Sequence, residues 1–242
     1  MTVILNTRPK YQAEKMKQTF SKHGIETIIQ PALEINPDHG EINKLKNTDC
    51  SQYDWIIFTS ANAVYMSKEC FLNLNEHKNI IAVGPATKAE LLNIGVKDVL
   101  LPKKFNSHAI IDAINDTNKR RILIITGKNP KIDLNELLSQ RGYETTSFYV
   151  YERLFSKQTV NSINEFKNID AILIYSTSSL EAFDKILRLA NNTKLRSKPL
   201  LVLTENIRNL AIKIGFNNNI YVMSDFNTFK HIDYILTILN RK

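Results

Sequence analysis

The stretch HGIETIIQPALE, His23–Glu34, is echoed further along the chain by RGYETTSFYVYE, Arg141–Glu152. In each, a glycine is followed by an extended run that closes on a glutamate, Glu34 in one copy and Glu152 in the other. Other matches keep nearly the same offset, about 116 to 121 residues. Ile4–Thr7 matches the run ending Ile124, Ile125, Thr126; WIIFTSAN, Trp55–Asn62, matches AILIYSTS, Ala171–Ser178; and LNIG, Leu92–Gly95, matches AIKIG, Ala211–Gly215. Self-similarity at one long period predicts a duplicated supersecondary unit, since the period is far longer than that of a solenoid repeat. The 242 residues suffice for two domains that each bury a core.

Around this repeat, apolar runs alternate with segments of helical spacing. Val3–Asn6, Ile56–Phe58, Ile80–Val83, Ile122–Ile125, Ile172–Ile174 and Leu200–Leu203 are continuous and rich in β-branched residues, as befits strands covered on both faces of a parallel sheet. Ala13, Met16 and Phe20; Leu134, Leu137 and Leu138; and Ile207, Leu210, Ala211 and Ile214 are spaced to share one helix face. Gly24, Gly95, Gly142 and Gly215 stand where a left-handed residue would close a helix. The expected class is therefore α/β, with right-handed crossovers.

Composition excludes several functions. With 43% hydrophobic and 23% charged residues the chain is of ordinary globular type, and no apolar run approaches the roughly 18 residues of a membrane span. Met1–Arg8 carries no secretory pattern, so the cytoplasm is the expected compartment, with Cys50 and Cys70 as reduced thiols. A net charge of +8 would suit an anionic partner. The basic residues are scattered, however, with small groups only at Lys103-Lys104 and Lys119-Arg120-Arg121, so a nucleic-acid partner is not expected. No G-x-G-x-x-G, no G-x-x-x-x-G-K-[ST], no G-x-S-x-G and no H-E-x-x-H occurs. Neither metal nor cofactor is expected.

Sites in such sheets form where strands end and helices begin. The loops there are Asn6-Thr7-Arg8-Pro9, Thr59-Ser60-Ala61-Asn62, Gly84-Pro85-Ala86-Thr87, Thr126-Gly127-Lys128-Asn129, Tyr175-Ser176-Thr177-Ser178-Ser179 and Thr204-Glu205-Asn206. Unpaired N–H groups and small hydroxyls could hold several carboxylates or phosphates. The plainer reading, helix capping, applies to each loop singly; repetition at six strand ends favours a site.

These residues also carry a family resemblance. Thr7-Arg8-Pro9, Phe58-Thr59-Ser60-Ala61-Asn62-Ala63-Val64, Ala82-Val83-Gly84-Pro85-Ala86-Thr87, Arg141-Gly142 running into Val150-Tyr151-Glu152-Arg153, and Ser176-Thr177-Ser178 together resemble the uroporphyrinogen-III synthases over essentially the full length. The resemblance implies two similar parallel-sheet domains of flavodoxin or Rossmann-like type. Residues 1–34 would join 155–242 as a discontinuous first domain, 37–151 would form the second, and antiparallel connecting strands would lie at about 31–37 and 149–155.

The resemblance further implies a reaction: cyclisation of hydroxymethylbilane, a linear tetrapyrrole with eight carboxylates, with loss of water and inversion of its last ring through a spiro-pyrrolenine. It implies a monomer, a hand-over from the deaminase that makes the bilane, and no membrane partner. By the same resemblance Tyr151 is the candidate proton donor, a phenol able to assist departure of the bilane's hydroxyl. The candidate substrate-binding residues are Thr7, Arg8, Ser60, Ala61, Asn62, Thr87, Ser107, Gly127, Lys128, Ser176, Thr177, Ser178, Thr204 and Thr228, the small ones acting mainly through backbone N–H. With many anchors, removing one hydroxyl is expected to have a mild effect.

Two departures stand out. Many relatives carry a Gly/Arg-rich stretch where this chain has Gly127-Lys128-Asn129-Pro130-Lys131, and Glu205 puts an acid beside a candidate anion site, so it is expected to face solvent. The competing readings are a two-lobed, non-catalytic binding module for a small polyanion and a nucleic-acid-associated protein, the latter marked by steep salt dependence.

Overall fold

The computed structural model describes residues 2–71, 79–102, 107–114, 121–130, 133–216, 219–223 and 228–239, without the side chains of 107, 108, 228 and 229. In chain order the strands are β1 (Thr2–Asn6), β2 (Ile25–Ile29), β3 (Leu33–Pro37), β4 (Trp55–Phe58), β5 (Ile80–Ala82), β6 (Val99–Leu100), β7 (Arg121–Gly127), β8 (Glu144–Phe155), β9 (Ala171–Ile174), β10 (Leu200–Val202) and β11 (Ile220–Val222). The helices are α1 (Lys10–Ser21), α2 (His39–Lys46), α3 (Ala61–Ser67), α4 (Pro85–Asn93), α5 (Ser107–Ile114), α6 (Leu134–Ser139), α7 (Lys157–Ser162), α8 (Thr177–Leu189), α9 (Thr193–Arg196), α10 (Glu205–Lys213) and α11 (Thr228–Leu239).

The chain divides into two compact units, Met1–Glu34 with Leu154–Lys242, and Ile35–Arg153. One holds a five-stranded sheet of order β11-β10-β9-β1-β2; the other a sheet of order β3-β8-β7-β4-β5-β6. Every pairing from β11 to β2 is parallel, and so is every pairing from β8 to β6. Apart from β3 the two orders coincide strand for strand, with β1 matching β7 and β2 matching β8 as the repeated stretch requires. β3 lies beside β8. Asp38 N–H donates to the Val150 carbonyl (2.9 Å) and Ser156 N–H to that of Ala32 (3.3 Å), a pairing of opposite sense.

The apolar runs are strands because both faces are covered. Along β1, Ile4 joins Met16, Phe20 and Ile235 on one side of the sheet, while Leu5 joins Phe183, Ile186 and Val202 on the other. In the second sheet Ile57 packs with Ile110 and Leu138, whereas its neighbours Ile56 and Phe58 pack with Val64, Phe71 and Leu91. A two-residue period with both sets buried reads as an unbroken apolar run. The glycines of the repeated stretch, Gly24 and Gly142, sit at φ +72° and +84°, the left-handed region that turns the chain from helix to strand.

Candidate active site

At the end of β4, Ser60 turns extended (φ −159°, ψ 156°) and caps α3, its Oγ accepting from Ala63 N–H at 3.1 Å. Ser176 at the end of β9 repeats the geometry (φ −151°, ψ 156°), capping α8 through Ser179 N–H at 3.1 Å. Thr204 caps α10 through Ile207 N–H at 3.4 Å; at the matching start of α4 the cap is Gly84, followed by Pro85, and Thr87 is buried in the first turn. The hydroxyls of Ser60, Ser176 and Thr204 therefore cap helices, which uses their oxygens and leaves their hydrogens to donate. Ala61 and Asn62, like Thr177 and Ser178, occupy first-turn positions whose N–H groups find no intrahelical carbonyl.

Tyr151 stands over the end of β7. A bulge between Thr126 and Gly127 shifts the β7–β8 register so that Gly127 faces Tyr151, and Lys128 N–H donates to the Tyr151 carbonyl at 2.8 Å. A Cβ added at Gly127 would lie 2.7 Å from Tyr151 Cε1, so only glycine admits the ring. The ring is 1% exposed within a core of Phe58, Val64, Leu123 and Val150. Its hydroxyl lies 3.0 Å from Ser60 Oγ and accepts from Arg153 Nη2 at 2.6 Å. Packing in the connecting strand is thus only part of what Tyr151 does. Arg153 escaped the sequence reading as a site residue, although two residues along a strand put it on the face of Tyr151.

Lys128, expected as a carboxylate anchor, already has one: its Nζ lies 2.7 Å from Asp38 Oδ2. Asp38 also caps α2 through Glu41 N–H at 3.0 Å. The bond from Lys128, then that from Glu41, holds the Asp38 carboxyl below its ordinary range, and Asp38 in turn raises Lys128. Asp38 and the other acidic caps, Asp49 and Asp133, went unnoticed because the sequence pattern that marks the candidate loops is one of small hydroxyls, whereas these helix starts carry carboxylates.

In the other unit Thr7 is wholly buried, and both its N–H (3.3 Å) and its hydroxyl (2.8 Å) donate to the Leu173 carbonyl. Arg8 bonds Gln12 through Nε at 2.9 Å and stacks 4.2 Å above the Tyr175 ring. The Tyr175 hydroxyl is 2.7 Å from Nδ1 of buried His231. Burial pushes the Tyr175 phenol well up, with Arg8 opposing part of that shift. Sequence separation hid this Arg8, Tyr175 and His231 cluster.

Ser107 and Thr228 open α5 and α11, but their side chains lie outside the described residues, as do Lys103, Lys104, Lys119 and Arg120. Glu205 is exposed in the first turn of α10, 3.4 Å from Arg208, as its sequence position suggests. Among the described residues no group of three or more His, Cys, Asp or Glu could hold a metal, and no helix is long and apolar enough to cross a membrane. Cys50 and Cys70 are free thiols.

A family model described as uroporphyrinogen-III synthase HemD matches residues 14–225. Among curated proteins, a uroporphyrinogen-III synthase of Chlorobaculum parvum is 29% identical over 169 residues, covering 64% of this chain and 65% of the relative's length. Among solved structures, a mutant uroporphyrinogen III synthase from the extremely thermophilic bacterium Thermus thermophilus aligns with TM-score 0.62 at 15% identity, covering 100% of both chains. A uroporphyrinogen-III synthetase from Helicobacter pylori aligns at 0.55 and 16%, covering 98% of this chain and 100% of that one. At such identities these two structures speak for the fold alone.

Proposed function

Because the chain belongs to the uroporphyrinogen-III synthase family, we propose that it is a cyclising hydro-lyase that closes hydroxymethylbilane into uroporphyrinogen III, inverting the last ring and releasing water. The observation that carries the reading is the Tyr151 hydroxyl, set 3.0 Å from Ser60 Oγ at the start of α3. A proton-bearing phenol there stands beside N–H donors suited to carboxylates.

The bilane is already reactive, and unassisted it joins its ends without inversion. The protein's task is then chiefly to impose a pose. Holding reacting carbons at contact distance supplies effective molarities of about 10⁵ M or more, which favours one closure over another. First-turn N–H groups at Ala61, Asn62, Thr177 and Ser178, hydroxyls at Ser176 and Thr204, and the cations Arg8 and Lys128 are our candidates for the carboxylates. Ser107, Thr228 and Thr87 extend that set, while Thr7 and Gly127 shape the loops. Tyr151 assists departure of the hydroxyl from the first ring. The azafulvenium cation that results is attacked by the substituted carbon of the last ring; the spiro-pyrrolenine so formed fragments and recloses at the other carbon. We place the reaction in the cytoplasm, where the free thiols of Cys50 and Cys70 suit a reducing compartment, with the protein acting as a monomer that takes bilane from its deaminase.

The test is turnover. Bilane supplied in about hundredfold excess over protein should be consumed to completion as cyclised product, faster than its spontaneous closure. A non-catalytic binding module would sequester one equivalent and leave the remainder to close unaided.

A further inference from the structure

Tyr151 Oη has two polar neighbours among the described residues, Arg153 Nη2 at 2.6 Å and Ser60 Oγ at 3.0 Å. A guanidinium only donates, so toward Arg153 the phenolic oxygen is an acceptor. The phenolic hydrogen needs a partner of its own, because a buried O–H without an acceptor is penalised. Ser60 Oγ is the acceptor at hand. That oxygen also accepts from Ala63 N–H at 3.1 Å, which commits both of its lone pairs. What Ser60 has left is its own hydrogen. Tyr151 is 1% exposed, whereas Ser60 is only half-buried.

From this order of donors we propose that the group which protonates the departing hydroxyl is Ser60, refilled by Tyr151, with Arg153 as the positioning residue that fixes the direction of transfer. The step rests on the synthase reading above. The Ser60 O–H proton passes to the hydroxyl of the bilane's first ring as its C–O bond breaks; the electron pair leaves with oxygen, and water and the azafulvenium cation result. Ser60 Oγ takes the Tyr151 proton, and the phenolate is met by Arg153. The proton shed when the rearranged macrocycle regains its last aromatic pyrrole returns through Ser60 to Tyr151, so that bilane gives macrocycle plus water. Ser60 is thereby set apart from the other capping hydroxyls, whose loss has a mild effect.

A double-mutant cycle read by single-turnover kinetics tests the relay. Tyr151→Phe and Ser60→Gly should each slow the cyclisation step by about a hundredfold, the scale of a lost general acid. Glycine is chosen because it keeps the start of α3 nearly as stable as serine does. The double variant should be no slower than either single one, since both interrupt one path. Ser60→Thr, which retains hydroxyl and cap, should recover most of the rate. Arg153→Met should lower kcat at unchanged KM, and its effect should vanish in the Tyr151→Phe background. Multiplicative losses in the double variant, or a Ser60→Gly protein at wild-type rate with its far-ultraviolet spectrum unchanged, would overturn the relay. Wild-type protein that gives no type III product sinks the synthase reading instead, so the two failures are told apart.

Discussion

Tyr151 and Gly127 fit together as ring and floor: a methyl group on Gly127 would enter the Tyr151 ring, 2.7 Å from Cε1 and 2.8 Å from Cε2. Gly127→Ala therefore has to push the phenol away from Ser60 or open the β7–β8 bulge. Overpacking of this kind costs about 1–3 kcal/mol. Urea denaturation should report that loss, and the rate should fall toward that of Tyr151→Phe. Unchanged stability and rate would mean that the ring moves aside without consequence.

Ser176 separates capping from substrate binding. Ser176→Ala should lower stability by about 0.5–2 kcal/mol and Ser176→Gly by only a few tenths, because glycine is itself a tolerated cap. Both should change kcat/KM by less than about tenfold, since many anchors share the bilane's carboxylates. A larger loss at this one residue would contradict the shared arrangement.

The Asp38 and Lys128 pair has a pH signature. Asp38 is lowered from its ordinary 3.8, so its contribution is fully present above that value and is lost as pH falls through the folded-state value below it; Lys128 is raised above 10.5, so its share is lost only as pH rises past that point. Urea midpoints measured from about pH 5 to about pH 2 should therefore fall less steeply for Asp38→Asn than for the parent. The same variant releases Lys128, and KM for the bilane should drop. A rise in KM would instead give Asp38 the task of positioning Lys128 for the substrate.

Tyr175 is held protonated by burial, and its hydroxyl meets Nδ1 of His231 at 2.7 Å. Tyr175→Phe removes that bond to buried His231 at a cost of about 1–3 kcal/mol. In the parent, folding favours the protonated phenol, so stability is full below its ordinary value of 10.0 and declines as pH rises above it. Alkaline titration followed by tyrosinate absorbance should show one fewer late-titrating phenol in Tyr175→Phe than in the parent.

The α/β class was legible because each strand is buried on both faces, which turned Ile56–Phe58 and Ile172–Ile174 into unbroken apolar runs, and because Gly24 and Gly142 close their helices at positive φ. Ser60, Ser176 and Thr204 were visible as hydroxyls before helices, and they do cap them. What stayed hidden depends on contacts across the chain. Ser60 meets Tyr151 over a separation of 91 residues, and the bulge at Thr126 and Gly127 that aims the ring has no local signature. Lys128 looks like an unpartnered cation in sequence, and only the fold brings Asp38 to it. Thr7 looks like Ser60 in sequence, yet its hydroxyl is spent on the Leu173 carbonyl.

The most direct measurement is the isomer composition of the product. With hydroxymethylbilane generated in situ by its deaminase, addition of this protein should convert the macrocycle formed from type I to type III, the isomer with the last ring inverted. Type I alone, at the rate seen without the protein, would contradict the account.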